Sequence, residues 1–298
     1  MLSTAPKYSD TKATESFVQN PFPEKRPNSP TMKDFGTHIV AATSQHTHTI
    51  VFLHGRGSNA CEFESEFFES QASDGRFLTQ IFPGMKWVFP CAAMRYAQTE
   101  HEDMHQWFDM TSVREPSRDQ EQQLQGLRES VEFIWDIMKK EADEVGGINK
   151  VFLGGISQGC ATAIIALLAG GVRIAGFVGL SSWLPLQTSI RKISTDSPKA
   201  SVKRIRELLY PADHKNPSFQ AFDLQTGLQT PILLEHALND DVLSSSNGYQ
   251  LCEELRALGM DIEWRAYAEG AHWVNEPNGI DDMIVFLKRN QDITFSQD

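Results

Sequence analysis

The segment that most constrains this chain is an apolar run that meets a serine between two glycines and continues into small residues. The run covers residues 151–155, the turn at 155–159 reads Gly-Ile-Ser-Gln-Gly, and residues up to Leu168 are mostly small or apolar. The glycines let a strand and a helix approach closely while the serine adopts a strained backbone conformation. Strand, sharp turn and helix in this order present a nucleophile. The sequence therefore predicts Ser157 as a nucleophile, with a glycine-rich structural turn as the alternative.

The net charge and the lengths of the apolar runs limit the classes of protein to which this chain can belong. The chain has 298 residues and a formal net charge of −12. Nucleic acid demands a basic binding face, so we expect no nucleic-acid partner. No apolar run reaches the ~18 residues of a membrane span, and the N-terminus lacks the pattern of a signal peptide. Four widely spaced cysteines without zinc-like spacing favour a reducing compartment. We expect a cytoplasmic protein with no metal and no stable membrane insertion.

Apolar runs recur at steady intervals almost to the C-terminus, which favours one α/β domain. Residues 1–33 differ, since they hold five of the 14 prolines between polar residues. We expect a flexible N-terminal tail over 1–33 and a globular domain over 34–298. Within that domain, residues 186–229 show no clear strand, and we interpret them as a partly helical insertion near the mouth of the active site. A surface excursion without a catalytic role is the alternative.

Short apolar runs predict six strands that are covered on both faces, as in a parallel sheet. They lie at 49–54, 86–90, 150–155, 175–181, 231–237 and 262–268, and residues 36–41 could add an edge strand. Helical patterns fill the gaps at 117–145, 157–169, 244–258 and 278–290. The alternation predicts a doubly wound, mostly parallel sheet with helices on both faces. Its site would lie beyond the carboxyl ends of the strands.

A nucleophilic serine needs a base, and the base needs an acid that orients it. On sheets of this kind they follow in the order Ser, then Asp or Glu, then His, each in a loop after a strand. The loop after 231–237 carries Asp240 and Asp241, and the loop after 262–268 carries His272. We therefore predict His272 as the base. Only one of the adjacent acids can hold the imidazole, and the residues alone leave both open. Five competing histidines stand upstream at strand ends or in polar stretches: His54, His101, His105, His214 and His236.

The oxyanion of an acyl-transfer intermediate needs two N–H donors that are already in place. One is expected from the residue after the nucleophile, Gln158, and the other from a loop after an early strand. The sequence His-Gly-Arg-Gly-Ser at 54–58 supplies such a loop, and its glycines let the backbone turn the Arg56 N–H toward the site. We predict Arg56 and Gln158 as the donors. A tight turn without this role is the alternative.

These motifs together resemble the acyl-protein thioesterase/carboxylesterase/phospholipase family of small α/β-hydrolases. The resemblance covers roughly residues 50–287 and rests on four motifs in order. They are Leu-His-Gly-x-Gly at 53–57, Gly-x-Ser-Gln-Gly at 155–159, the acid loop at 236–240 and the base loop at 269–272. A Trp-Phe-Asp segment at 107–109 and a Leu-Ser-x-x-Leu-Pro turn at 180–185 also fit. The resemblance implies the α/β-hydrolase fold.

The resemblance also implies hydrolysis of carboxylic esters or thioesters with long acyl or other apolar groups. The substrate would be a small molecule or a lipidated protein, and no cofactor is required. The family spacing favours Asp240 over Asp241 as the acid. Trp107, Phe108 and Trp183 become candidates for the walls of the acyl pocket, with core packing as the alternative.

Three departures from the family pattern concern the substrate more than the chemistry. Ser58 stands where the oxyanion loop usually has an acid, Ala237 and Asp241 replace a glycine and a proline, and the insertion is long. We expect the chemistry to be kept while the acyl-binding surface differs. A small-molecule carboxylesterase or lysophospholipase is the alternative within the class. A non-catalytic binding protein on a hydrolase scaffold is the alternative outside it.

Overall fold

A parallel sheet forms the centre of the molecule. The computed structural model describes residues 36–193, 198–210 and 227–291. The strands are β1 (Thr37–Val40), β2 (His48–Leu53), β3 (Met85–Pro90), β4 (Met94–Ala97), β5 (Glu102–His105), β6 (Val151–Ile156), β7 (Gly176–Leu180), β8 (Ile232–Ala237) and β9 (Ile262–Tyr267). In the described ranges, seven of them form one sheet in the order β1-β3-β2-β6-β7-β8-β9, and only β1 runs antiparallel to its neighbour. β4 and β5 form a separate hairpin.

Helices connect the strands. They are α1 (Ala60–Glu69), α2 (Leu78–Ile81), α3 (Gln120–Val145), α4 (Gln158–Gly170), α5 (Gln187–Arg191), α6 (Pro198–Leu209), α7 (Ser245–Ala257) and α8 (Asn278–Gln291). The six predicted strands and the edge strand agree with the observed bounds to within one residue, and the four predicted helices to within three.

The side chains of β2 show why the sheet is covered on both faces. Ile50 and Phe52 point into one hydrophobic cluster, which α1 and α8 complete. Val51 and Leu53 point into the other, which α3, α4 and α7 complete. Because successive side chains of a strand face opposite sides, a continuous apolar run requires a helix layer on each side. The predicted doubly wound α/β-hydrolase fold is confirmed.

Helices α1 and α2 and the β4–β5 hairpin were not predicted from the sequence. A local signal for α1 exists, since the Asn59 side chain accepts hydrogen bonds from the backbone N–H groups of Cys61 and Glu62 at 3.1 Å. Asparagine favours the N-cap of a helix because it satisfies such orphan donors. Phe63 and Phe67, four residues apart, then form the buried face.

The described part of the predicted insertion at 186–229 contains α5 and α6. Arg206 of α6 donates to the carbonyl oxygens of Ala169 and Gly170, the last residues of α4. A helix of this length places those carbonyls ~18 Å from Ser157 at its other end. These contacts place Arg206 at the C-terminal end of α4, and the position of the insertion near the mouth of the active site stays a prediction.

Two predictions fall on residues that are not described. The flexible tail at 1–33 lies entirely outside the described residues, as does much of the insertion at 211–226. The division into a tail and one domain with an insertion stays a prediction. Among the helices that the structure describes, none is both long enough and apolar enough to cross a membrane.

Candidate active site

Ser157 occupies a sharp turn between β6 and α4. Its φ of 55° and ψ of −124° lie in a region that residues with a side chain rarely adopt. The backbone N–H of Ser157 donates to the Leu180 carbonyl oxygen of β7 at 2.9 Å. A Cβ atom at Gly155 would lie 2.6 Å from the Leu53 carbonyl oxygen, and one at Gly159 would lie 2.4 Å from that of His54. Both glycines are therefore required by close backbone approach, as the sequence predicted.

His272 and Asp240 form a hydrogen-bonded pair beyond the ends of β9 and β8. The Nδ1 atom of His272 lies 2.7 Å from Oδ2 of Asp240. The other carboxylate oxygen, Oδ1, accepts the backbone N–H groups of Val242 at 2.9 Å and Leu243 at 2.8 Å. The Asp240 side chain is fully buried, whereas that of His272 is one-fifth exposed. The acid is thus fixed and shielded while the imidazole reaches solvent.

The electrostatics of Asp240 favour a charged carboxylate. Burial alone would raise the pKa of Asp240, but hydrogen bonds from His236, His272 and the backbone N–H of Leu243 outweigh burial and hold that pKa well below its usual range. Asp241 is exposed. Of the two adjacent acids, Asp240 is therefore the one that the fold joins to His272.

Asn239 ties the acid loop to the base loop. Its side-chain oxygen accepts the backbone N–H of Ala271 at 2.9 Å. Its side-chain nitrogen donates to the Glu269 carboxylate at 2.7 Å. The residues directly before Asp240 and His272 are thus joined by a side-chain hydrogen bond, which fixes the two loops relative to each other.

The predicted oxyanion loop lies against the nucleophile. A Cβ atom at Gly55 would lie 3.6 Å from Cβ of Ser157. The Arg56 side chain forms a bidentate ion pair with Glu100, with N–O distances of 2.7 and 2.6 Å. Its Nε atom also donates to Gln106 at 3.0 Å. With the side chain held elsewhere, Arg56 is left with its backbone N–H as the group it can offer the site.

Gln158 is held by its side chain. Its Oε1 atom accepts the backbone N–H of Trp107 at 2.9 Å, and its Nε2 atom donates to the Phe108 carbonyl oxygen at 2.8 Å. As the first residue of α4, Gln158 has a backbone N–H without an acceptor inside the helix. That N–H is free to meet negative charge beside Ser157, where the helix dipole adds to the attraction.

A small cavity joins the nucleophile and the base. Its volume is about 180 Å³. The residues that line it are Ser157, His272, Arg56, Gly55, Ser58, Phe63, Glu66, Val113, Ile156, Val242 and Trp273. A larger cavity of about 570 Å³ lies at the N-terminus of α3, and none of the predicted site residues lines it. Of these two cavities, the smaller one is lined by both Ser157 and His272.

Trp107, Phe108 and Trp183 do not line this cavity in the described structure. Trp107 and Phe108 are fully buried, and Trp183 is 3% exposed. The Trp107 indole donates to the His54 carbonyl oxygen at 2.9 Å, and the rings of Phe108 and Trp183 meet edge to face. These contacts support the alternative, core packing, because each ring is buried among other residues and none lines the cavity.

Three residues near Ser157 and His272 were not predicted as part of the site. Phe63 and Trp273 line the cavity, with their ring centroids 5.9 Å apart and their planes almost perpendicular. Trp273 could have been suspected from its place directly after His272. His236, set aside as a base, contacts the carboxylate of Asp240 instead.

The described residues contain no cluster of histidine, cysteine and carboxylate side chains suited to a metal ion. Cys160, three residues after Ser157, is fully buried. Burial raises the pKa of the Cys160 thiol to about 12. A thiol in that state is a poor nucleophile, so Cys160 acts as a small apolar residue of the core.

The sheet topology, the strained serine turn and the acid and base loops define an α/β-hydrolase. The sequence profile of the phospholipase/carboxylesterase family matches residues 36–206, more than half of the chain. The chain is a hydrolase that belongs to this family, and the family predicted from the ordered motifs is confirmed.

Individual relatives agree with this assignment. The chain is 25% identical to acyl-protein thioesterase 1 of Gibberella zeae over 84% of this chain and 94% of that protein. It is 27% identical to acyl-protein thioesterase 1 of Cryptococcus neoformans over 54% of this chain and 64% of that protein. The crystal structure of acyl-protein thioesterase 2 of Zea mays superposes with a TM-score of 0.63 at 24% identity, covering 86% of this chain and 99% of that one. The last match supports the fold.

Proposed function

We propose that this protein is a serine hydrolase that cleaves carboxylic esters or thioesters through an acyl-enzyme. Ser157 is the nucleophile, His272 the base and Asp240 the acid, and the backbone N–H groups of Arg56 and Gln158 bind the oxyanion. The observation that carries the proposal is one cavity that Ser157 and His272 both line, with His272 hydrogen-bonded to the buried Asp240 behind it.

The geometry of His272 supports its role as general base. Because Nδ1 donates to Asp240, the neutral ring presents an unprotonated Nε2 atom, the form that accepts a proton from a serine hydroxyl. Ser157 then attacks the acyl carbonyl carbon, and the imidazolium returns the proton to the leaving alkoxide or thiolate. Asp240 stabilises the imidazolium, and water hydrolyses the acyl-enzyme in the second half of the reaction.

Two proposed N–H donors stabilise the tetrahedral intermediate. Each such donor typically contributes about 3 kcal/mol to the transition state. The strained backbone of Ser157 and the helix dipole of α4 support this role for Gln158, and the contact between Gly55 and Ser157 supports it for Arg56. No cofactor takes part in this scheme.

A thioester substrate is favoured by the relatives, which are named acyl-protein thioesterases. We extend this to lipidated proteins as one class of substrate. We also propose a cytoplasmic location, which agrees with four free cysteines among the described residues.

The small cavity favours a second candidate, a small-molecule carboxylesterase. A volume of about 180 Å³ is below the roughly 300 Å³ at which pockets begin to enclose drug-sized ligands. A short acyl group fits such a space better than a long chain. This candidate differs from the first in its substrate and shares its chemistry.

Matched short- and long-chain oxyesters and thioesters test both candidates. We expect turnover by the wild type and by Ser58→Ala, a change of another serine that lines the cavity, and none by Ser157→Ala. A fluorophosphonate should label the wild type and Ser58→Ala alone. Faster turnover of short oxyesters would select the carboxylesterase, and faster turnover of long-chain thioesters the acyl-protein thioesterase. Absence of both turnover and labelling in the folded wild type would contradict the proposal and favour a binding protein.

A further inference from the structure

His236, the penultimate residue of β8, makes two polar contacts through one ring nitrogen. Its Nε2 atom lies 3.1 Å from Oδ2 of Asp240 and 3.0 Å from the carbonyl oxygen of Leu243. Both partners are acceptors, so the nitrogen between them must carry the proton. The His236 side chain is fully buried, and water does not compete for this donor.

The other ring nitrogen of His236 is enclosed by backbone. Among the described residues, Nδ1 has no hydrogen-bond partner. A Cβ atom at Gly248 of α7 would lie 2.4 Å from it, so the helix packs directly on that edge of the ring. Trp264 of β9 lies beside the ring, with centroids 6.4 Å apart. An N–H on this side would face no acceptor, which leaves the neutral tautomer protonated on Nε2.

Two imidazoles therefore share one carboxylate oxygen. Oδ2 of Asp240 accepts from His272 at 2.7 Å and lies 3.1 Å from the His236 donor, while Oδ1 accepts two backbone N–H groups. We propose that His236 is a positioning residue that sets how strongly Asp240 holds His272 during catalysis. This inference rests on the proposed function, since it assigns a role within the same triad.

The physical reason is the sharing of charge on Oδ2. A donor that satisfies part of the carboxylate charge weakens the attraction of that charge for a neighbouring imidazolium. The backbone N–H groups of residues 242 and 243 keep Asp240 in place when the His236 donor is removed. Asp240 then holds the protonated form of His272 more strongly, and the base becomes available only at higher pH.

The charged groups near the pair include the exposed Asp241, the next residue in the chain. Glu269 carries the carboxylate that Asn239 contacts beside the base loop. Across the cavity stand Arg56, whose charge is paired with Glu100, and the exposed Glu66. In the described structure none of these groups hydrogen-bonds to Asp240, whose carboxylate contacts the two imidazoles and the backbone N–H groups of residues 242 and 243.

The test compares His236→Met, which has similar volume and no donor, with His236→Gln, whose amide nitrogen can replace Nε2. In His236→Met the acid limb of the pH profile of kcat/KM should move up by roughly one pH unit, with a loss in kcat smaller than tenfold. His236→Gln should restore the wild-type profile. A profile that stays unchanged or moves to lower pH in His236→Met would overturn the proposal.

A control separates this effect from loss of stability. Ser244→Ala removes the N-cap of α7, at the far end of the same loop, and leaves both contacts to Asp240 intact. It should lower the melting temperature without moving the acid limb. If His236→Met does not fold, ring ¹⁵N spectra of the wild type still decide. An Nδ1–H tautomer for His236 would overturn the proposal, and an Nε2–H tautomer would support it.

The outcomes also keep the two proposals apart. A wild type that hydrolyses esters and is labelled at Ser157, combined with an unshifted His236→Met profile, would remove only the role of His236. A folded wild type without turnover or labelling would remove the proposed function itself.

Discussion

The Nδ1 atom of His54 lies 2.7 Å from the carbonyl oxygen of Gly55, the residue that follows it in the chain. The Nε2 atom of the same ring accepts the backbone N–H of Ala92 at 3.0 Å, so Nδ1 carries the proton. Burial lowers the pKa of His54 to about 4, which keeps the ring neutral. In a trans peptide the N–H points opposite to the C=O. By holding the Gly55 carbonyl, His54 therefore fixes the direction of the Arg56 N–H.

The first prediction concerns this amide. Loss of the donor in His54→Leu should let the Gly55–Arg56 peptide rotate and lower kcat by about a hundredfold, with little change in KM, as for loss of one oxyanion donor. His54→Asn keeps a donor near the Nδ1 position and should retain most of the activity. Steady-state kinetics on one ester checks both variants, and full kcat in a folded His54→Leu would disprove the role.

The second prediction distinguishes the adjacent acids. Asp240→Asn should lower kcat by about 10³–10⁴-fold, because the amide favours the wrong imidazole tautomer and cannot stabilise the imidazolium. Asp241→Asn changes an exposed side chain and should stay within about twofold of the wild type. The two substitutions are chemically identical and one residue apart. A larger loss in Asp241→Asn than in Asp240→Asn would reverse the assignment.

The third prediction concerns the pH dependence of stability. Glu235 of β8 is 4% exposed, and burial together with the charge of Asp282 raises its pKa well above the usual range. The folded state therefore favours the protonated acid. Its stabilising contribution is complete below the ordinary pKa of about 4.3 and is lost as the pH rises toward the raised value.

Glu235→Gln removes this titration. The variant should resemble the wild type near pH 4, and its advantage in free energy of unfolding should grow as the pH rises. Urea unfolding at several pH values measures the difference. Glu253→Gln, an exposed change beside Arg256, is the control and should show no growing difference. A constant gap between Glu235→Gln and the wild type would contradict the prediction.

The fourth prediction concerns the ion pair between Arg56 and Glu100. If Arg56 contributes its backbone N–H, then Arg56→Ala loses only the ion pair that steadies the loop. Such partly exposed pairs are worth about 1 kcal/mol or less, which limits the loss in kcat to roughly fivefold. Glu100→Gln should give a similar loss, and the double variant should show no further decrease because both changes break one interaction. A thousandfold loss in Arg56→Ala alone would mean that the guanidinium contacts the substrate.

The apolar runs, together with the turn residues that bound them, were sufficient to predict the central strands. The β6 strand and the all-buried α4 are continuous apolar runs, and the glycines between them are fixed by steric contact with neighbouring backbone. The loops that follow β8 and β9 could be placed because parallel strands bring their carboxyl ends to one edge of a sheet. The positions of these loops alone therefore predicted that Asp240 and His272 lie close together, although 31 residues separate them in the chain.

The environment of each aromatic ring could not be read from the sequence in the same way. Trp107 and Trp273 stand in similar polar surroundings in the chain, yet the first is enclosed in the core and the second lines the cavity. Their difference arises from long-range packing, such as the hydrogen bond from Trp107 to the His54 carbonyl oxygen. The second hydrogen bond to Asp240, from His236, depends in the same way on where α7 crosses the sheet.

Asn239 joins the acid loop to the base loop, so these two loops form one unit of the site, and the serine turn with the oxyanion loop forms the other. The first unit is built on the adjacent strands β8 and β9, and the second on the adjacent strands β2 and β6, with β7 between them. Ser157 and His272 therefore stand on opposite sides of β7, which pairs with β6 on one side and with β8 on the other. A tetrahedral inhibitor that bonds to Ser157 and contacts His272 would connect these two units across β7. Inhibition should therefore be accompanied by a higher melting temperature.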